Sequence, residues 1–249
     1  MKNKKLKTLL IFLFFSVPLL FLIKISFWWS NYTDTSQINL KFSRTEIIDI
    51  ENYKVLINEI LNNNKENYNL TQITNVLEEH PYVKAARVSR HYPNQIKIEI
   101  IERVPITMVN KDPIVLLDEQ GYVLPDFYNL KSYDLPIMSN FNTDSGLYPP
   151  GEMVLSVKAK ECILLLANIQ NQYNELYNNL SELKITSSNE INLILADQPT
   201  NIFLGNENIN IRINILKEFE KQLKPAKISD FTYLDLRFKN QVIGKRRHL

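Results

Sequence analysis

The stretch HPYVKAARVSRHYPNQIKIEIIERVPI, residues His80–Ile106, decides the fold. Apolar and charged residues alternate on either side of a Tyr-Pro-Asn turn, which predicts two strands, Val83–Arg90 and Gln95–Arg103. Successive side chains of a strand point to opposite faces, so Ile96, Ile98 and Ile100 share a core face while Lys97 and Glu99 face water. No residue in the hairpin is placed for chemistry, so its use must be sought in what surrounds it.

Working outward toward the amino terminus, Thr71–Glu79 reads as a helix with apolar Ile73, Val76 and Leu77. Asn69 or Thr71 can cap it, and His80 and Pro81 stop it. Before it, NNNKENYN (62–69) breaks a helix over Asn52–Leu61, whose stripe is Val55, Leu56, Ile57, Ile60 and Leu61. INLKF (38–42) reads as a first strand. Strand, two helices and two strands make a small α+β module over residues 38–106, with helices covering one face of a three-stranded sheet.

Toward the carboxyl terminus, strands separated by turns follow: PIVLLDEQGYVLP (113–125), LPIMSN (135–140), LKITSSNEINLILAD (183–197) and TNIFLG (200–205). Helices are predicted at Val157–Tyr177 and Ile211–Leu223, the second ending before Pro225. The chain closes on one strand, FTYLDLRFKNQVIG (231–244), and a basic tail, residues 245–249. Residues 107–244 therefore read as a second domain, mostly β with two helices.

At the other end, MKNKKLK precedes an apolar run from Leu9 to Trp29. At about 1.5 Å per residue such a helix spans roughly the 30 Å hydrocarbon core of a bilayer. Lys24 would cost about 2.5 to 3.5 kcal/mol at a helix centre, but near one end its stem snorkels outward, and Trp28 and Trp29 suit the interface. Cleavage as a signal peptide would need small residues after the run, and SFWWSNYTDT (26–35) has none in the A-x-A pattern. The reading is an uncleaved transmembrane anchor over 9–29, a cytoplasmic tail over 1–8 held by Lys2, Lys4, Lys5 and Lys7, and a polar linker over 30–37.

Composition excludes several function classes. The chain has 249 residues, 29 Lys and Arg against 27 Asp and Glu, a balance that gives no nucleic-acid surface. Of five glycines, only Gly146 and Gly151 in GLYPPGEM have phosphate-loop spacing, and Glu152 and Met153 stand where Lys and Ser or Thr are needed. His80, His91 and His248 have no metal-ligand spacing, and the lone Cys162 on the apolar side of a helix reads as a small buried hydrophobe. No G-x-S-x-G or S-x-x-K nucleophile occurs. Neither a metal nor an organic cofactor is expected.

The order of basic tail, single span, IERVPI-terminated hairpin, LLDEQGYVLP and a terminal YLDLRF resembles the bacterial cell-division family FtsQ, also called DivIB. That resemblance implies that residues 38–106 form a POTRA domain and that Asp118, Gly121, Val123, Leu124 and Pro125 begin the family's β domain. It implies a non-enzymatic divisome scaffold in the cytoplasmic (inner) membrane, its carboxyl-terminal part periplasmic and gathered at the septum. FtsB and FtsL are the implied partners, through which it would recruit and regulate the septal peptidoglycan synthase. The implied contact is the last strand, here Tyr233–Gly244, to which a partner adds by strand pairing, with Arg237, Phe238, Asn240, Gln241 and Val242 at the matching positions. Arg237 would pair with a partner acid and Phe238 would be the apolar anchor. The reading from a different class is a signal-anchored periplasmic cell-wall enzyme, which would need a polar cleft.

Overall fold

A computed structural model describes residues 16–28, 39–63, 69–92, 94–125, 134–239 and 241–247. Residues 16–28 form a helix (α1) whose apolar side chains are exposed, from Val17 to Trp28. The rest of the expected anchor, 9–15 and 29, lies outside the described residues, as do the tail 1–8 and the linker 30–37. Among the described residues, no helix is long and apolar enough to cross a membrane.

The chain divides into two compact units, 1–77 with 85–100 and 78–84 with 101–249. In the first, β1 (Asn39–Phe42), β2 (Val83–His91) and β3 (Gln95–Glu102) form a sheet in the order β1-β3-β2, with β1 parallel to β3. Ile96, Ile98 and Ile100 are buried, as their alternation requires. Two helices supply the other half of that core: Tyr53 and Ile57 from α2 (Ile50–Asn63), Ile73 and Leu77 from α3 (Leu70–Glu78). Asn69 is the cap of α3, its Oδ1 accepting from Thr71 N–H at 2.9 Å. Val55, expected in the apolar stripe, is exposed instead. Tyr53 and Ile57, four apart, define the buried face of α2, and Val55 between them points away.

The second unit is built on a nine-stranded sheet in the order β12-β11-β10-β9-β8-β7-β4-β5-β6. Its strands are β4 (Pro105–Val109), β5 (Val115–Asp118), β6 (Val123–Leu124), β7 (Ile137–Ser139), β8 (Leu180–Ile185), β9 (Ile191–Leu195), β10 (Asn201–Gly205), β11 (Phe231–Asp235) and β12 (Ile243–Arg246). The sheet is mixed. Short turns join antiparallel β4 to β5, β5 to β6, β8 to β9 and β9 to β10, whereas β4–β7, β7–β8 and β10–β11 are parallel. Parallel neighbours cannot be joined by a tight turn, and two of these three connections run through helices. α4 (Val157–Gln172) and α5 (Asn174–Asn178) link β7 to β8, and α6 (Ile209–Leu223) links β10 to β11.

Those helices pack on one sheet face. Cys162, Ile163, Leu166 and Ile169 of α4 and Ile213 and Leu216 of α6 join Leu183, Leu193, Ile202 and Leu234 of the strands in one core. Burial of the Cys162 side chain pushes its thiol up to about 12. The single helix expected over Val157–Tyr177 is two. Tyr173 leaves helical geometry at φ −143°, ψ 60°, which turns its ring into the core and lets its hydroxyl donate to Glu220 of α6.

Candidate functional site

The expected closing strand Tyr233–Gly244 is also two elements. β11 ends at Asp235, the described residues 236–239 and 241–242 belong to no strand, and β12 returns antiparallel beside β11. Asp235 causes the break. Its Oδ1 accepts from the backbone N–H of Arg237 at 3.0 Å, an Asx turn that takes a donor the ladder would otherwise use. The basic tail expected at 245–249 begins inside β12, because Lys245 and Arg246 pair with Tyr233 and Phe231.

Arg237 closes the same turn from the side-chain end. Its Nε and Nη2 reach the Asp235 carboxylate at 3.0 and 2.7 Å, and its Nη1 reaches Glu190 Oε2 at 3.2 Å. The Arg237 fork holds the Asp235 carboxyl below the usual carboxylate range. Arg237, expected to meet a partner acid, is thus already paired within the chain. From α6, Arg212 donates to the Leu204 carbonyl, and its Nη2 donates to the Arg237 carbonyl at 3.3 Å, tying the connection to the helix layer.

Of the other expected contact residues, Phe238, Gln241 and Val242 fall between β11 and β12 rather than on a strand. Phe238 is 52% exposed, Gln241 is exposed, and Val242 packs half-buried against the core. Asn240 lies outside the described residues.

β12 is the terminal strand of the sheet, and all four of its residues are exposed. Gly244 holds it close. A Cβ at that position would sit 2.8 Å from both Leu234 Cδ2 and Phe231 Cδ1, closer than real side chains approach. Gly244 thus lies inside β12 rather than at the end of a strand, where it was expected. The opposite edge, β6, is covered: Val123 N–H donates to Glu152 at 2.8 Å, Gly151 N–H donates to Val123 at 2.9 Å, and Tyr122 bridges Met153.

Residues 104–245, more than half of the chain, match the family described as FtsQ/DivIB, C-terminal related. The chain belongs to the FtsQ/DivIB family. Residues 54–103 match the POTRA domain of FtsQ type, which agrees with the α+β module around the hairpin. The chain is 25% identical over 71% of its length to the cell division protein FtsQ of Syntrophotalea carbinolica and 23% identical over 71% to that of Geotalea daltonii. These matches span 61% and 63% of the two relatives' own length. It is also 28% identical over 74% of its length to the cell division protein DivIB of Clostridium tetani, of which the match spans 69%. Family membership places the chain among cell division proteins.

Glu190, Arg212, Asp235 and Gly244 shape the connection and the edge without having been singled out from sequence. The Asp235-x-Arg237 spacing was the one local signal available. Glu190 and Arg212 lie 47 and 25 positions from Arg237, beyond any local pattern.

Proposed function

We propose that the chain is a non-enzymatic divisome scaffold, anchored in the cytoplasmic membrane by Leu9–Trp29, that binds FtsB and FtsL on the outer side and through them recruits and regulates septal peptidoglycan synthesis. One observation carries the reading: the nine-stranded sheet has one edge covered by its own backbone and one edge, β12, left exposed. An exposed strand edge offers unpaired backbone donors and acceptors, and a partner strand can take them, with side chains beside the edge setting specificity. Two exposed apolar groups stand at that edge, Ile243 within β12 and Phe238 in the connection before it.

The test is co-purification of the full-length chain with the host's FtsB and FtsL. A chain ending at Leu236 lacks β12 and is expected to lose FtsB. Phe238→Asp is expected to weaken FtsB binding by about 30-fold, the scale of a binding hot spot, with no change in melting temperature. Retention of FtsB by both variants would remove β12 and its connection as the binding edge.

A further inference from the structure

The first compact unit carries its charge in two opposite layers. Residues 39–42 and 85–100, which hold its strand residues, have Lys41, Arg87, Arg90 and Lys97 against Glu99 alone. Residues 43–63 and 69–77, which hold its helices, reverse that balance, with Glu46, Asp49, Glu51 and Glu59 against Arg44 and Lys54. Of those two cations, Lys54 is already paired with Glu51 at 2.6 Å. The full chain sets 29 cations against 27 acids, so the basic side of this unit is a local feature.

Register assigns the cations to the sheet face away from α2 and α3. Lys97 and Glu99 alternate with the buried Ile96, Ile98 and Ile100, so they point outward. Lys97 Nζ donates to Glu99. The Glu99 carboxyl is held below the usual carboxylate range by that ammonium first, and Arg87 and His91 of β2, both exposed, add to the effect from the same face. β1 contributes Lys41, the direct neighbour of Lys97 in the parallel ladder, while Leu40 and Phe42 stand beside Ile96 and Ile98. Like charges directly across a strand pair are destabilising. The acid on this face is engaged by Lys97, and Lys41 is exposed and makes no ion pair among the described residues. An anion from outside the chain turns that repulsion into attraction. The turn from β2 to β3 carries Tyr92, 75% exposed, a side chain suited to a boundary between water and hydrocarbon.

We infer that this face of the β1-β3-β2 sheet docks on an anionic phospholipid surface, with Lys41, Arg87 and Lys97 toward the phosphates. The inference rests on the reading of Leu9–Trp29 as a membrane anchor, and chain length then favours lipid over an acidic protein. Only residues 30–38 separate Trp29 from Asn39. At no more than about 3.6 Å per residue, the chain keeps β1 within roughly 36 Å of Trp29. Headgroups are therefore present at high effective concentration at all times, and a few cations suffice where an untethered domain would need more. The acidic helical layer is repelled by the same surface, so attraction and repulsion select one orientation.

The experiment reconstitutes the full-length chain into vesicles of phosphatidylcholine alone or of phosphatidylcholine with phosphatidylglycerol. The rate of acylation of Lys41 by a membrane-impermeant reagent is followed by mass spectrometry, with Lys54 on the helical layer as the internal reference. In the anionic vesicles at low salt, the Lys41 rate relative to Lys54 is expected to fall about ten-fold, from two net charges near the surface. The difference should vanish at about 1 M salt, where electrostatic reach shortens to roughly 3 Å. Arg87→Gln combined with Lys97→Gln should abolish most of the protection of Lys41 with no loss of melting temperature, since both side chains lie on the outer face. Equal Lys41 rates in the two vesicles, from a chain that resists alkaline carbonate extraction, overturn the inference while leaving the anchor in place. Protection of Lys41 that is the same in both vesicles and arises only when FtsB and FtsL are added overturns it in favour of a protein surface. A chain released by alkaline carbonate overturns the anchor reading, and this inference with it.

Discussion

The two edges of the nine-stranded sheet each carry an arginine–aspartate pair, and they are built in opposite ways. At the covered edge, Arg103 and Asp118 meet at 2.8 Å with side chains 9% and 3% exposed, and the guanidinium lies 3.4 Å over the Tyr122 ring. Asp118 also accepts from Gln120 N–H at 2.9 Å and Tyr122 N–H at 2.8 Å, so its lone pairs are used locally. At the open edge, the Arg237 side chain is 41% exposed, and its aspartate terminates a strand instead of bracing one. Identical chemistry thus serves rigidity where it is dry and shape where it is wet. Removing one partner of a buried pair strands a charge in low dielectric, whereas an exposed pair is screened by water.

That contrast orders the expected effects. Asp118→Ala leaves Arg103 buried without its carboxylate and should cost about 3 to 5 kcal/mol of stability, read by urea or thermal denaturation. A loss near that of a surface pair would erase the distinction between the edges. Gly244→Val forces side chains onto Leu234 and Phe231 and should cost about 1 to 3 kcal/mol, with FtsB affinity falling further than the loss of stability explains. Equal affinity at full occupancy of the fold would mean that β12 does not have to lie where it does. Arg237→Ala should change stability by no more than about 1 kcal/mol, and its signature is altered exchange of the amides of residues 236–242.

The smallest effect is the pH response of the open-edge pair. The folded-state pKa of Asp235 lies below its unfolded value, so the carboxylate's contribution is present above the unfolded pKa of about 3.9 and fades as pH falls through the lower folded value. Lowering pH from 7 to 5 should leave the connection unchanged, and its loosening should appear only below the ordinary carboxylate range. A carboxyl-carbon NMR titration of Asp235 checks this, and a midpoint at or above the ordinary value would break the assignment.

Local pattern made much of this molecule legible. The alternation at Ile96, Ile98 and Ile100, the Asn69 cap and the stop at Pro225 each depend on residues within a few positions, and each element formed where it was expected. Two elements were misread for a shared reason: Tyr173 splits a helix and Asp235 splits a strand, and apolar periodicity alone settles neither outcome. Tyr173 turns inward toward Glu220, 47 positions away, and Asp235 spends a backbone donor that periodicity counts as ladder. Of the candidate site, Phe238 and Val242 came from family resemblance to the end of the chain, while Gly244 became meaningful only against Leu234 and Phe231.

The amino-acid sequence by itself determined the module around the hairpin, the exclusion of phosphate-loop and zinc-motif chemistry, and the likeness to FtsQ and DivIB, because all of these are written in neighbouring residues. Only the tertiary structure decided that the sheet is mixed, that Arg237 is spent on Asp235 and Glu190, and that β12 is the uncovered edge. Being an edge is a property of strand order, and strand order is set by contacts between segments far apart in the chain.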